Sequence, residues 1–238
     1  FAENQVRLAR HYDLDVRSRK MDTDAAGRVH YLEAGDPDGE PVLLLHGITE
    51  PAAAWLALAP SLADEYRLIA PDMPGEGLSE KPSYGGRDLR SFLVAYLVDL
   101  LAGLDVDRPH VVAHSLGGAQ GFLLAIDHAR VDRLCLVGAP VGVSRDFPLL
   151  PRLFTVRGIN HLLFRAMTLV DPVEYARTWL GQFGVVDDSA VPEAFYELYG
   201  ARLAIPGLQR SQRSLMSAAG SLGRMTPLSD LRAEIVTI

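Results

Sequence analysis

The sequence predicts an α/β fold: a mostly parallel central sheet flanked by helices, with a helical insertion. Three observations predict it. Four short apolar runs, at residues 41–47, 66–72, 109–115 and 131–140, lack polar alternation and read as strands buried on both faces. Segments between them, at 52–64, 86–105 and 117–130, carry apolar residues at helical spacing. After Pro140 that strand–helix rhythm stops, and residues 141–226 hold Leu and aromatics at helical spacing with no clear buried strand.

Taken in order, residues 15–22 and 27–35 alternate like a pair of antiparallel strands, and Gly, Pro and Asp crowd into a turn at 35–41. The run 41–47 is the first buried strand. Residues 52–64 are expected to be helical, 66–72 the second buried strand, and 86–105 a helix ending near Gly103. The third buried strand, 109–115, leads into a helix at 117–130 whose N-terminal face is small. The fourth, 131–140, contains Cys135, expected to be a buried strand residue. The expected organisation is a core over 1–140, a helical cap over 141–226, and a return to the core at 227–238, where "AEIVTI" turns strand-like.

Composition excludes several classes. The chain has 238 residues, 48% hydrophobic and 22% charged, with a formal net charge of −7. No basic stripe offsets that acidity, which argues against nucleic-acid or anionic-membrane partners. The most basic stretch, 6–20, carries two aspartates and reads as a solvated N-terminal face. One cysteine rules out an internal disulfide and a cysteine zinc cluster. No apolar run reaches the ~18 residues that a membrane span needs. No signal-peptide pattern opens the chain, so a cytoplasmic location is expected. The chain begins at Phe1 rather than Met, which leaves room for residues upstream. Oligomeric state is not legible.

The chemistry centres on "VVAHSLGG", residues 111–118. A strand that turns sharply into a helix holds one side chain, Ser115, at its tip. The flanking positions must be small, and here they are Ala113 and Gly117. The helix start supplies free N–H groups and the positive end of a dipole.

Here the chain resembles the α/β-hydrolase family, in its cap-bearing serine-hydrolase branch. The motif Gly-x-Ser-x-Gly stands as Ala113-His114-Ser115-Leu116-Gly117. "LLLHG" at 43–47 is similar to the family's strand ending in His-Gly, and "PDMPGEGLSE" at 71–80 to its Asp-x-x-Gly-x-Gly-x-Ser turn. "LVGAP" at 136–140 matches the next strand. The resemblance runs from about residue 16 to the end. It implies Ser115 as nucleophile, with the amides of Ile48 and Leu116 as oxyanion donors, worth roughly 3 kcal/mol each to a transition state. His46, Gly47, Asp72, Gly75, Gly77, His114 and Gly117 are motif residues with structural roles. Gly75 and Gly77 are expected at positive φ, and Asp72 shapes its turn together with Ser79. Relatives that open epoxides carry aspartate at the nucleophile position, so serine implies acyl chemistry.

A serine nucleophile needs a histidine base and an orienting carboxylate, which in this family follow the nucleophile. Of seven histidines, His11, His30, His46, His110, His114 and His128 do not fit the base. His161, in the insertion, is a candidate substrate contact only. Gly138, Ala139 and Pro140 hold no carboxylate, and Asp146 lies in the insertion's first loop. The expectation is a fragment of a longer enzyme whose acid and base lie beyond residue 238. Phe154, Trp179, Phe183 and Phe195 could line an apolar pocket or pack the insertion. The resemblance implies hydrolysis of a small carboxylic ester or related acyl substrate through an acyl-enzyme, with no metal or other cofactor. Alternatives are a carbon–carbon hydrolase of dienone acids, with Arg157, Arg165 and Arg177 as available cations, a perhydrolase or acyltransferase, and a non-catalytic ligand-binding member.

Overall fold

The apolar runs form the middle of a six-stranded sheet in a computed structural model that describes residues 1–138, 152–182, 185, 187–221 and 224–225. The strands are β1 (Val16–Thr23), β2 (Gly27–Gly35), β3 (Glu40–Leu45), β4 (Tyr66–Pro71), β5 (His110–His114) and β6 (Leu134–Val137). Their order is β1-β2-β4-β3-β5-β6. β4, β3, β5 and β6 run parallel, while β1 and β2 add antiparallel at one edge. The polar/apolar pattern explains the placement: Val42 to Leu45 are all buried, whereas β1 exposes most of its residues.

Helix α1 (Ala2–His11) precedes the sheet, and α2 (Leu89–Gly103) and α3 (Leu116–His128) flank it. Asp88 caps α2 by accepting from the Arg90 N–H. Gln120 of α3 donates to the Leu93 carbonyl and the Tyr96 hydroxyl of α2, both at 3.0 Å, so the two helices share a buried polar link. Beyond the undescribed stretch come α4 (Ile159–Met167), α5 (Pro172–Gln182), α6 (Glu193–Ala201) and α7 (Leu208–Ala219). These four helices fall within the stretch expected to form the cap. A two-residue ladder pairs Gly220–Ser221 with Arg224–Met225. The expected return strand at 227–238 lies outside the described residues.

Three expectations need correction. Residues 52–64 form two short 3₁₀ segments, Ala52–Ala57 and Ala59–Ser61, rather than an α-helix. Pro51 and Pro60 frame the run, and Pro60 removes a donor, so a continuous α-helix is interrupted. The stretch 6–20 is not simply solvated: α1 occupies its first part, and Leu8 is fully buried with Leu198 of α6 in the same core cluster. Cys135 is exposed, because β6 is the edge strand among the described residues. No helix among the described residues is long and apolar enough to cross a membrane.

Candidate active site

Ser115 closes β5 and caps α3 with φ 51° and ψ −114°. A non-glycine residue at that φ is strained, and such strain persists only where surrounding structure holds it. Two neighbours do so. The Ser115 N–H donates to the Val137 carbonyl of β6 at 3.3 Å, and the Ser115 carbonyl accepts from the Gly118 N–H at 3.0 Å. Gly117 is obligatory for a different reason: a Cβ there would lie 2.4 Å from the Leu45 carbonyl oxygen. The missing side chain lets the start of α3 approach the end of β3.

That approach brings the His-Gly turn to the serine. A Cβ on Gly47 would sit 3.1 Å from the Ser115 Cβ, 3.0 Å from His114 Nδ1 and 3.0 Å from Glu50 Oε2. His46 is fixed from both ring nitrogens. Its Nδ1–H donates to the Gly47 carbonyl at 2.7 Å, and Nε2 accepts from the Met73 N–H at 2.9 Å. Ile48 is half-buried and packs against the main core cluster, and Leu116 belongs to that cluster.

The turn contains a group the sequence did not reveal. Glu50 Oε2 accepts from the Gly47 N–H at 2.7 Å and pairs with His114 Nδ1 at 2.9 Å. Burial alone would push the Glu50 carboxyl up, but the hydrogen bond and charge of His114 and the Gly47 N–H hold it below the usual range. Hydrogen bonding to Glu50 raises the His114 pKa against the opposing effect of burial. His114 therefore flanks the serine turn as an ion-pair partner.

Asp72 is held inside its own turn by several donors. It is fully buried and accepts from His30 Nδ1 at 2.7 Å, the Ala52 N–H at 2.7 Å and the Leu78 N–H at 2.8 Å. Burial favours its neutral form, yet the hydrogen bond and charge of His30 and the Ala52 N–H outweigh that and bring its pKa down to about 2. Gly77, at φ 46°, leaves room for this carboxylate, since a Cβ there would overlap it, and Gly75 has φ 97°. Ser79 donates to the Asp72 carbonyl at 2.7 Å and accepts from the His30 N–H at 2.8 Å. His30, on the far side of Asp72, also contacts the Ser18 hydroxyl through Nε2 at 2.9 Å. This Ser-His-Asp string has the connectivity of a triad. It sits on the antiparallel edge, however, and its carboxylate is fully engaged by the 72–79 turn.

Two further charged residues, Glu76 and Arg202, are buried near the turn. Glu76 is 1% exposed; its Oε1 accepts from the Thr49 N–H at 3.2 Å, and Gln212 Nε2 of α7 donates to both oxygens at 2.9 and 2.8 Å. Burial raises the Glu76 pKa, outweighing the Arg202 charge and the Gln212 hydrogen bond. Arg202, also 1% exposed, reaches the Tyr175 hydroxyl at 3.4 Å, while its Nε and Nη1 have no hydrogen-bond partner among the described residues. An acid between the two glycines of the 71–80 turn was the one available signal for Glu76. Arg202 carried none.

The other candidates fall elsewhere. His110 pairs with Glu40 at 3.0 Å at the opposite end of β5 from Ser115. His161 accepts at Nδ1 from Arg213 and lines an open cleft of about 480 Å³ with Arg157, Arg210 and Ser214. Phe154 packs edge-on to Phe164, Trp179 stacks on Tyr175, and Phe195 stacks on Tyr199. Phe183 and Asp146 lie outside the described residues. Arg165 is exposed, and Arg177 pairs with Asp188 and Glu193. Among the described residues no histidine hydrogen-bonds the Ser115 hydroxyl, and no three His, Cys, Asp or Glu side chains form a group that could hold a metal.

Residues 40–173 match the family model described as alpha/beta hydrolase fold. The chain is 35% identical over 141 residues to the soluble epoxide hydrolase of Corynebacterium sp. (strain C12), covering 58% of this chain and 46% of that protein. It is 32% identical over 190 residues to the 2-hydroxymuconate semialdehyde hydrolase of Pseudomonas sp. (strain CF600), covering 77% of this chain and 65% of that protein. The chain thus spans less than two thirds of the length of these relatives. Among solved structures, Cfl2 from Burkholderia cenocepacia superposes with a TM-score of 0.72 at 27% identity, over 85% of this chain and 71% of that one. The chain belongs to the alpha/beta hydrolase fold family.

Proposed function

We propose that the protein is a serine hydrolase that cleaves a small carboxylic ester or related acyl compound through an acyl-enzyme on Ser115. The observation that carries this reading is Ser115 held at φ 51°, with Gly47 packed against it. In the proposed reaction the Ser115 hydroxyl loses its proton to a base and Oγ attacks the acyl carbon. The amides of Leu116 and Ile48 receive the charge that develops on the carbonyl oxygen. The alcohol departs with a proton, and water then cleaves the acyl-serine bond to release the acid. A serine, rather than the carboxylate that epoxide opening uses, separates this reading from the name of the Corynebacterium relative.

A carbon–carbon hydrolase is the second reading, and Arg202 favours it. A keto-acid substrate brings a carboxylate that needs a cation, and Arg202 offers one, buried, with two nitrogens lacking partners. The name of the Pseudomonas relative supports it too. The helices over 159–219 would then act as a cap that holds the anionic end of the substrate.

The test is labelling of the full-length protein that contains this chain with a fluorophosphonate, beside Ser115→Ala and Ser18→Ala. One adduct, lost only with Ser115→Ala, is the expected result. Absence of labelling, or loss with Ser18→Ala instead, overturns the reading. Turnover of p-nitrophenyl esters against bleaching of a dienone acid then separates the two substrate classes.

A further inference from the structure

Thr49 lies in the turn that follows Gly47, with φ 63°. A β-branched residue at positive φ is an outlier, and it persists only where the surrounding structure holds it. The position matters because this turn also carries the Ile48 amide, which the proposed reaction aims at the developing oxyanion. Something must hold Thr49 there. Among the described residues its N–H donates only to Glu76 Oε1, at 3.2 Å. Glu76 is itself held by Gln212, which spreads one amino group over both carboxylate oxygens. Gln212 is 2% exposed and sits on α7, 136 residues away in the chain.

We propose that Glu76 and Gln212 are positioning residues, which fix the strained 47–50 turn in its donor geometry and tie that geometry to the placement of helix α7. The inference rests on the serine-hydrolase reading, since it assigns the turn a role in acyl transfer. Three independent features converge on it. The strain falls on the residue next to the expected donor. Its sole N–H acceptor among the described residues is a fully buried carboxylate, a costly group to place in a core without a use. And that carboxylate is secured from a different structural layer. Any shift of α7, for instance when a substrate enters beneath the helices, moves Gln212 and is passed through Glu76 to the turn.

The chemistry of the amide makes the proposal testable by substitution. In Glu76→Gln one oxygen still accepts from the Thr49 N–H. The new amino group faces Gln212, whose side-chain amide can flip to present its oxygen. That variant should retain the turn. Glu76→Leu removes the acceptor, and Gln212→Leu removes its anchor at similar volume.

The experiment measures fluorophosphonate labelling of Ser115 in the full-length protein, resolving the rate of phosphonylation from the reversible binding step. Thermal unfolding is followed alongside. Glu76→Leu should slow phosphonylation roughly 10- to 100-fold with reversible binding within about twofold, the pattern of a misplaced oxyanion donor. Gln212→Leu should act in the same direction to a smaller extent, and Glu76→Gln should stay near wild type. A purely structural role would lower the melting temperature and leave the phosphonylation rate of the folded fraction unchanged, which overturns the proposal. So does a Gln212→Leu rate equal to wild type, should Glu76→Leu fail to fold. Wild-type protein that does not label at all would overturn the serine-hydrolase reading, and this proposal with it.

Discussion

Asp72→Asn is the sharpest probe of how the 72–79 turn is held. The carboxylate accepts three N–H donors at 2.7–2.8 Å: Oδ2 takes His30 and Leu78, and Oδ1 takes Ala52. Asparagine has one oxygen. Placed where Oδ2 was, it keeps two acceptances, and its amino group then meets the Ala52 N–H donor to donor. The Ala52 N–H loses its acceptor and the new amino group finds none, at about 1–3 kcal/mol each, and the two remaining bonds lose their charge assistance. The sum is about 4 kcal/mol, or roughly 8–16 °C in melting temperature for a domain of this size. The pH dependence adds a second signature. A folded-state pKa lowered to about 2 means that ionised Asp72 contributes stability above the ordinary carboxylate range, and that this contribution is lost as pH falls towards 2. A shift of about two units corresponds to about 2.5 kcal/mol. Urea denaturation at neutral pH and at several pH values down to about 2 measures both. The gap between wild type and variant should be widest near neutrality and narrow in acid. A gap below about 1 kcal/mol at neutral pH, or one that does not change with pH, refutes the reasoning.

Three further outcomes are expected. Gly117→Ala places a methyl 2.4 Å from the Leu45 carbonyl, so α3 must back away from β3; urea denaturation should show a loss on the order of 2–3 kcal/mol, and Ser115 labelling should fall with it. Glu50→Gln should lower the His114 pKa in an NMR titration, because the Glu50 hydrogen bond is the leading cause of its rise. The stability from that pair is complete between roughly pH 4.5 and 6.5. It is lost as pH falls through the lowered Glu50 pKa and as it rises through the elevated His114 pKa, so the variant's deficit should peak in that window. Arg202→Met removes a buried cation whose Nε and Nη1 lack partners among the described residues; unfolding should show stability within about 1 kcal/mol of wild type, relief of the unpaired cation being offset by loss of its charge beside Glu76, while dienone-acid turnover, where present, should collapse. A destabilisation of several kcal/mol would mean that the guanidinium is satisfied.

The parts of this fold that were legible are those whose cause is local. Leu43, Leu44 and Leu45 form a continuous apolar run because both faces of β3 are covered, and no other local pattern competes with that reading. Ser115 and Gly117 were legible because the strand, the turn and the helix start lie within ten residues. The 3₁₀ segments at 52–61 resemble an α-helix in sequence because their apolar spacing is helical, while a single residue, Pro60, breaks the hydrogen-bond ladder. Helix α1 was missed because its buried face is narrow and its partner Leu198 lies far along the chain. Glu50, Glu76, Arg202 and Gln212 were not legible for that same reason. Charged and amide residues in turns or on helices usually face water; here Glu50 turns in to His114, Arg202 to Tyr175, and Glu76 and Gln212 to each other, each pair far apart in the chain.

That division bears on how the site is stabilised. Its two strained residues, Ser115 and Thr49, lie on either side of Gly47 and cost of order 1–3 kcal/mol each. The strain at Ser115 is offset by the start of α3 and by β6, both within about 20 residues of it. The strain at Thr49 is offset through Glu76, 27 residues on, and through Gln212, 136 residues beyond that. One half of the proposed oxyanion geometry is therefore set by the sheet and forms with it. The other half depends on helix α7 being docked. Under the serine-hydrolase reading, loosening α7 should impair phosphonylation of Ser115 before it disturbs the sheet core that carries the serine.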